Sequence, residues 1–312
     1  MKKKIILLTG GSGMVGRNIL EHPNVSEFKV LAPQSNELNL FEFKAIKTYL
    51  QKHQPDMIIH AAGKVGGIQA NMLEPISFFV DNFDMGRNII MAAHEVGIKS
   101  MINLGSSCMY PCNYSDSLTE EMLLKGALEP TNEGYALAKI ASAKLCEYIT
   151  REDSAYQYKT IIPCNLYGRY DKYNPKNSHL LAAIIHKIHQ AKIKNNPVVE
   201  IWGDGTARRE FMYSGDLADA ILVAIKNFKT LPIYMNIGLG YDHTINEYYE
   251  AVTNIIGYQG KLFHNISSPV GTLRKLVNID RQIAWGWQAK TNLIDGIKEA
   301  YKFYLRECVH DF

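Results

Sequence analysis

Short apolar runs recur along the first half of the chain, and each is followed by a longer stretch of mixed character. The runs lie at residues 5–8, 28–31, 56–62 and 100–104. A short run with few polar residues is typical of a strand buried on both faces of a parallel sheet. Apolar residues recur at helical spacing over residues 41–52 and 78–96. This alternation predicts an α/β fold with a doubly wound parallel sheet.

A glycine-rich turn separates the first apolar run from the helix predicted after it. Gly10, Gly13 and Gly16 give the spacing G-x-x-G-x-x-G. The first glycine permits a tight turn, the second lets a pyrophosphate approach the backbone, and the third lets helix and strand pack closely. We therefore predict a dinucleotide site in this turn, formed by Gly10, Gly11, Ser12, Gly13, Met14, Val15 and Gly16.

The end of the second predicted strand bears on the choice of dinucleotide. A fold that prefers NAD usually carries an acid there, which binds the ribose 2′-hydroxyl. Here the strand continues into residues 32–36 without an acid, and Glu37 is the first to follow. NADP is therefore favoured over NAD. No arginine follows either, so the partner of the 2′-phosphate is not identified; Arg17 is a candidate.

The pattern changes after residue 168, which indicates a second unit. Further elements are expected as a strand and exit loop at residues 160–168, a helix from near His179, a short strand and turn at 198–205, a helix at 214–228 with Ser214 as N-cap, and a strand at 234–238. We predict a Rossmann-type dinucleotide domain from residues 1–168 and about 214–240. Residues 169–213 and 241–312 would form a smaller mixed α/β domain for the substrate.

Tyr135 and Lys139 are the candidate catalytic pair. They are four residues apart, so they share one face of the helix predicted there. An ammonium beside a phenol favours the phenolate, which would lower the pKa of Tyr135 and let it exchange a proton near neutral pH. Ser106 follows the strand at residues 100–104 and could hold a carbonyl oxygen. Together with a nicotinamide, these groups suit hydride transfer to a carbonyl.

Composition narrows the class of protein. The net charge of the 312-residue chain is +3, which is too small to argue for a nucleic-acid partner. The five cysteines are an odd number in a long chain, so we expect them reduced and the protein cytoplasmic. Cys108 and Cys112 lack a matching Cys or His pair for zinc, and no metal is predicted. The first apolar run is too short for a membrane span or a signal peptide.

Several stretches resemble the GDP-L-fucose synthase branch of the extended short-chain dehydrogenase/reductase superfamily. They lie at residues 62–71, 104–111, 129–140, 177–179 and 209–211, and the likeness runs over nearly the whole chain. The resemblance implies NADPH as cofactor and a GDP-linked 4-keto-6-deoxy sugar as substrate. It also implies a homodimer, for which the helices at residues 78–96 and 135–150 are candidates.

The resemblance also assigns catalytic roles. Tyr135 would protonate the C4 oxygen of the sugar, Lys139 would lower the pKa of Tyr135 and bind the nicotinamide ribose, and Ser106 would hold the C4 oxygen. Cys108 and His179 would be the base and acid that invert C3 and C5. Both carbons lie alpha to the 4-keto group, whose enolate acidifies their protons, so a Cys and a His on opposite faces of the ring suit this exchange.

Binding residues follow from the same resemblance. Beyond the glycine turn and the catalytic residues Ser106, Tyr135 and Lys139, the cofactor would contact Asn39, Leu40, Ala61, Ala62, Leu104, Gly105, Pro163, Asn165, Leu166 and His179. The substrate would contact Ser107, Cys108, Asn165, Lys187, Trp202, Arg209 and Asn278. Lys187, Trp202 and Arg209 would hold the GDP, with Arg209 on the diphosphate.

The chain departs from the branch mainly where the substrate would bind. The departures are Ser12 and residues 169–173, 212–216 and 269–275. They leave an alternative open, in which the protein only reduces C4, acting on a GDP-4-keto-6-deoxy-heptose after a separate epimerase. A dehydratase or 4-epimerase of the superfamily is a further alternative, although a dehydratase usually has an acid pair where Ser107 and Cys108 stand. A non-catalytic scaffold protein is the third, since fold does not fix function.

Overall fold

The computed structural model describes residues 3–174, 178–267 and 272–309. Asn177 and residues 269–271, which belong to stretches discussed above, lie outside the described residues. In the described part of the chain, no helix combines the length and apolar character needed to cross a membrane.

Strands and helices alternate through the first half of the chain. The strands are β1 (Ile5–Thr9), β2 (Lys29–Leu31), β3 (Met57–His60), β4 (Ser100–Leu104), β5 (Gln157–Pro163), β6 (Asn165–Tyr167), β7 (Val198–Trp202), β8 (Arg208–Arg209), β9 (Phe211–Tyr213), β10 (Tyr234–Ile237), β11 (His243–Thr244), β12 (Lys261–Asn265) and β13 (Arg274–Lys275). The α-helices are α1 (Met14–Leu20), α2 (Phe43–His53), α3 (Ile68–Leu73), α4 (Pro75–Val96), α5 (Glu133–Glu152), α6 (Leu180–Ile193), α7 (Ser214–Lys226), α8 (Ile245–Ile256), α9 (Asp280–Trp285) and α10 (Leu293–Glu307).

A six-stranded parallel sheet forms the centre of the molecule, in the order β10-β5-β4-β3-β1-β2. The chain passes from β1 to β2 on one side and then crosses to β3 on the other side of β1. In doubly wound sheets, ligands bind outside the carboxyl ends of the strands where the order reverses in this way. The predicted α/β class is confirmed, and the glycine turn after β1 lies at the reversal.

The central strands are buried on both faces, as their apolar runs predicted. Ile6 and Leu8 pack in a core that includes residues of α7, whereas Leu7 and Ile58 pack under α2 and α4 on the opposite face. Each of these side chains is at most 1% exposed. The sheet edge that carries the candidate catalytic residues is therefore held rigidly from both sides.

A second core lies among α6, α8 and α10. Ile185, Val199, Val252 and Ile297 belong to it, and all are nearly or fully buried. Three small sheets surround this region: β7 with β12, β6 with β9, and β8 between β11 and β13. The predicted domain division at residues 168, 214 and 240 remains a prediction.

The expected N-cap of α7 is wrong. The helix begins at Ser214 itself, and its N-cap is Tyr213. Ser214 Oγ is buried and has no hydrogen-bond partner among the described residues. A β-carbon on Gly168 would lie 2.5 Å from this oxygen, so the hydroxyl packs against the chain after β6 instead of capping the helix.

Candidate active site

The turn after β1 has room only for glycine at two positions. Gly10 has φ +73°, in the left-handed region, and a β-carbon there would lie 2.6 Å from the nitrogen of Ala62. A β-carbon on Gly16 would lie 2.2 Å from the carbonyl oxygen of Gly10. The first and third glycines of the turn thus serve close backbone packing, as the spacing predicted.

The amino end of α1 faces this turn. Gly13 is the N-cap and supplies no side-chain hydrogen bond to the helix. The first amides of a helix lack partners within the helix, and together with the helix dipole they attract an anion. These residues fit the pyrophosphate of a dinucleotide.

The loop after β2 is organised by hydrogen bonds to its own backbone. The Gln34 amide donates to Glu37 Oε2 (2.8 Å), and the Phe41 amide donates to Asn39 Oδ1 (3.0 Å). From α4, Asn88 Nδ2 donates to the carbonyl of Leu40 (3.0 Å). These bonds fix the course of the segment that contains the predicted contacts Asn39 and Leu40.

Arg17, the candidate for the 2′-phosphate, contacts an aromatic side chain in the segment after β6. Its guanidinium lies 4.0 Å from the centroid of the Tyr170 ring, on the chain after β6. Arg169 in the same segment forms an ion pair with Glu21 (3.1 Å) at the end of α1. Arg169 and Tyr170 therefore hold α1 against the segment that precedes His179.

Tyr135 and Lys139 lie on successive turns of α5 and are both buried. Lys139 Nζ donates a hydrogen bond to the carbonyl of Leu104 (3.0 Å), the last residue of β4. A β-carbon on Gly63 would lie 3.5 Å from this nitrogen. Burial lowers the pKa of the Lys139 ammonium to about 8. The ammonium thus stands at the carboxyl edge of the sheet, between β4 and the loop after β3.

Ser106 meets Tyr135 across this edge. The Ser106 hydroxyl is near the phenol of Tyr135 and acts to lower the pKa of that phenol. Ser106 Oγ also accepts a hydrogen bond from the amide of Cys108 (3.2 Å), which begins a short 3₁₀ helix at Ser107–Met109. The structure therefore brings together the predicted serine, tyrosine and lysine.

The pKa of Tyr135 is raised, contrary to the predicted lowering by Lys139. Burial is the main cause, the nearby Cys108 adds to it, and the Ser106 hydroxyl opposes it. Lys139 Nζ lies 5.9 Å from the centroid of the Tyr135 ring and donates to a backbone carbonyl. Burial therefore decides the direction of the shift in the pKa of Tyr135 and favours the neutral phenol, which is the proton-donating form.

Cys108 borders the same site. It packs with Ala70 and Tyr135 in a small apolar cluster. Its sulfur accepts hydrogen bonds from Asn132 Nδ2 (3.3 Å) and Lys275 Nζ (3.5 Å). Lys275 is 167 residues further along the chain. The thiol is therefore flanked by two donors, one of them a cation.

His179 is the N-cap residue of α6 and has a carboxylate close by. Its Nδ1 lies 4.0 Å from Oδ1 of Asp171, whose side chain is 4% exposed. A β-carbon on Gly67 would lie 2.6 Å from the carbonyl oxygen of Ser178. Because Gly67 caps α3 and Ala70 lies within it, this short helix links the segment of His179 to the cluster around Cys108.

The predicted nucleotide contacts lie along α6, β7 and β8. Lys187 Nζ donates to the carbonyl of Glu200, and burial lowers the pKa of Lys187. The Trp202 ring is 47% exposed at the end of β7. Arg209 pairs in register with Lys275, the residue whose ammonium contacts Cys108. Arg209 is therefore next to the strand residue that contacts Cys108.

Other predicted contacts are engaged within the protein. Asn165 Nδ2 donates to the carbonyl of Glu210 (3.0 Å) and so holds β6 to the strand that follows Glu210. Asn278 Nδ2 donates to Asp280 Oδ2 (3.0 Å) in its own loop. Ser107 is 2% exposed. Ligand contacts by these residues remain predictions, as do those by Ala61, Gly105, Pro163 and Leu166.

Sequence reasoning missed four residues that shape this site: Lys275, Asn132, Asp171 and Asn82. Asn82 Oδ1 accepts from the Lys64 amide (2.9 Å) and its Nδ2 donates to the Lys64 carbonyl (3.0 Å), which holds the loop after β3. Lys275 and Asp171 both lie in stretches that depart from the resembled branch. That departure was the sequence signal that could have drawn attention to them. In the described ranges, no cluster of three or more His, Cys, Asp or Glu side chains is arranged to hold a metal ion.

Comparison with known proteins identifies the family. The model of the NAD dependent epimerase/dehydratase family matches residues 6–238, and the chain belongs to this family. A GDP-L-colitose synthase of Yersinia pseudotuberculosis is 53% identical, over 98% of this chain and 99% of its own. A GDP-L-fucose synthase of Azorhizobium caulinodans is 44% identical, over 97% of each.

Solved structures agree with this assignment. A GDP-mannoheptose C4 reductase from Campylobacter jejuni, solved with NADP bound, is 31% identical with a TM-score of 0.87, over 98% of this chain and 99% of its own. The expected resemblance to GDP-sugar enzymes of the extended short-chain dehydrogenase/reductase fold is thereby confirmed.

Proposed function

We propose that the protein is an NADP-dependent oxidoreductase that reduces the C4 keto group of a GDP-linked 4-keto-6-deoxy sugar in nucleotide-sugar biosynthesis. The observation that carries the proposal is that Tyr135 and Lys139 on α5 are brought to the end of β4, which Ser106 follows, beside the glycine turn. The relatives named above agree with it, since they are named as synthases of GDP-sugars or as a GDP-sugar C4 reductase.

The reductive half of the reaction uses buried groups. NADPH, when bound at the glycine turn, supplies the hydride. Ser106 and Tyr135 hold the C4 oxygen, and Tyr135 donates the proton that this oxygen needs once the carbon is reduced. The raised pKa of Tyr135 suits this direction, because the phenol stays protonated at neutral pH. Lys139 places a positive charge beside the developing alkoxide.

We further propose that epimerisation occurs at the same site. Cys108, as thiolate, removes a proton from a carbon alpha to the keto group, and His179 returns a proton to the opposite face. Asp171 supports this role of His179, since a carboxylate 4.0 Å from an imidazole nitrogen helps to orient the ring. The C4 oxygen then carries the enolate charge while it is held by Ser106.

A 6-deoxyhexose is the substrate class that we favour. The relatives at 53% and 44% identity are named for L-colitose and L-fucose, and L-colitose is L-fucose without the C3 hydroxyl. If the substrate lacks that hydroxyl, C5 alone needs inversion. The alternative, reduction of a GDP-4-keto-6-deoxy-heptose without epimerisation, is motivated by the likeness to the heptose C4 reductase.

The test is a direct comparison of substrates. Purified protein with NADPH is given GDP-4-keto-6-deoxymannose, its 3-deoxy analogue, or the corresponding heptose, and kcat/KM is measured from NADPH absorbance. The proposal expects the highest kcat/KM on a hexose and a product inverted at C5. A preference for the heptose with unchanged ring stereochemistry would select the alternative. No oxidation with any of the three would refute the reductase.

A homodimer is the assembly that we propose. Ile76, Phe79 and Val80 on α4 and Leu137 and Tyr148 on α5 are each between 39% and 78% exposed, although all are apolar or aromatic. The two helices pack against each other, as the close approach of Gly134 to Pro75 and Phe79 at their amino ends indicates. Ile76→Glu should convert a dimer to a monomer in sedimentation velocity, whereas a wild-type monomer would contradict the proposal.

We also propose a cytoplasmic location.

A further inference from the structure

We infer that Lys275 is a positioning residue of the epimerising site, which holds and stabilises the Cys108 thiolate. Its Nζ lies 3.5 Å from Cys108 Sγ. The inference rests on the proposed function, because it gives that cysteine a reason to be anionic.

The surroundings of the sulfur favour a negative charge there. Asn132 Nδ2 donates from the start of α5 (3.3 Å) and Lys275 Nζ donates from β13 (3.5 Å), so both polar neighbours present hydrogens to the sulfur. Hydrogen bonds to a charged form, and an opposite charge within a few ångström, both stabilise that form. The thiolate is the form that acts as a base or nucleophile.

Lys275 is held at this place by the fold. It pairs in register with Arg209 of β8, and the neighbouring Arg274 donates from Nε to Asp242 Oδ2 (2.6 Å). Asp242 also accepts from Arg208 Nε (2.6 Å), so one buried carboxylate ties β13 to β8. The ammonium is therefore delivered by a strand that is fixed independently of Cys108.

The residues before this strand are tied to the segment that precedes α5. Thr272 Oγ1 donates to Glu129 Oε2 (2.6 Å), which precedes α5. The segment from Thr272 to Lys275 therefore contacts the chain just before α5, the helix that carries Tyr135. A substrate whose diphosphate binds Arg209 would be adjacent to the ammonium that supports the base.

The experiment measures alkylation of Cys108 by iodoacetamide at pH 7, followed by peptide mass spectrometry, in Lys275→Met, Lys275→Gln and Lys275→Arg. We expect Met and Gln to slow alkylation of Cys108 about tenfold, since a charge at this distance shifts a thiol equilibrium by about that factor. Arginine should restore the rate to within about threefold, since it keeps the positive charge. Cys112 in the same protein, whose thiol donates to the Leu128 carbonyl (3.6 Å), is the internal control and should react equally in all variants.

Lys298→Met is the matched control, because that lysine is 60% exposed on α10. An unchanged rate at Cys108 in Lys275→Met, or a wild-type rate in Lys275→Gln, would overturn the inference. Deuterium exchange into the sugar is measured on the same variants and on Cys108→Ser. If alkylation slows as expected but Cys108→Ser exchanges normally, the proposed base is wrong, and the assignment of Lys275 to the epimerising site fails although its effect on the thiol stands.

Discussion

The two halves of the candidate site differ in how the chain builds them. The reductive half consists of Ser106, Tyr135 and Lys139, which come from one strand end and one helix of the central sheet, and the last two are at most 9% exposed. The epimerising half consists of Cys108 and His179, which are half-buried, and Cys108 has a partner 167 residues along the chain, Lys275. The comparison teaches that the groups proposed for hydride transfer are assembled by the central sheet, whereas the cysteine proposed for epimerisation is also contacted by a lysine from the far end of the chain.

The largest effect should come from the buried half. Tyr135→Phe removes only the hydroxyl, and we expect turnover to fall about 1,000-fold, because the C4 oxygen loses its proton donor. The affinity for NADPH, measured by fluorescence titration, should stay unchanged. If turnover fell by less than about tenfold, another group would have to donate the proton.

The epimerising half should respond separately. Cys108→Ser should lower deuterium incorporation alpha to the keto group about 100-fold, because a hydroxyl is a far weaker base than a thiolate. Cys112→Ser is the control and should exchange at the wild-type rate. Comparable exchange in both variants would remove Cys108 from the mechanism and leave a C4-reductase alone.

The glycine turn sharpens the comparison, because it is proposed to bind the cofactor that only the reductive half of the site uses. Gly10→Ala should lower the free energy of unfolding by about 2–3 kcal/mol, since it combines a left-handed φ with a clash against Ala62. Gly97→Ala has a similar φ of +85° but open space around it, and should cost only about 1 kcal/mol. Equal losses in urea unfolding would show that close packing at Gly10 is unimportant.

The smallest expected effect is a dependence on pH. The pKa of Lys139 is lowered to about 8 by burial, so the ammonium is present below this pH and is lost as the pH rises through it. NADPH should therefore bind the unliganded protein a few-fold more weakly at pH 9 than at pH 7. Lys139→Met should bind NADPH weakly at both values. A wild-type affinity that is flat over this range would contradict the assigned pKa.

Local signals were sufficient for most of the fold. The apolar run that became β1, the spacing of Gly10 and Gly16, and the interval from Tyr135 to Lys139 are all short-range patterns, and the structure has the corresponding elements. The second half was harder, because β8, β11 and β13 are two residues long each and have no periodicity to detect.

The contacts that shape the epimerising half could not be predicted. Lys275 reaches Cys108 across 167 residues, and no local pattern encodes such a distance. The pKa of Tyr135 was predicted in the wrong direction, because the effect of Lys139 is apparent from spacing whereas the degree of burial depends on the packed core. Ser214 was misplaced as a cap for the same reason, since its hydroxyl is directed by packing near Gly168.

The most direct test of the two-part site is deuterium exchange in Tyr135→Phe. The variant is incubated with GDP-4-keto-6-deoxymannose and NADPH in heavy water, while absorbance reports hydride transfer and mass spectrometry reports exchange. We predict that deuterium enters the sugar alpha to the keto group while the NADPH absorbance stays constant, because Cys108 and His179 remain intact. Loss of exchange together with hydride transfer would contradict the account, since the two halves would then not be separable.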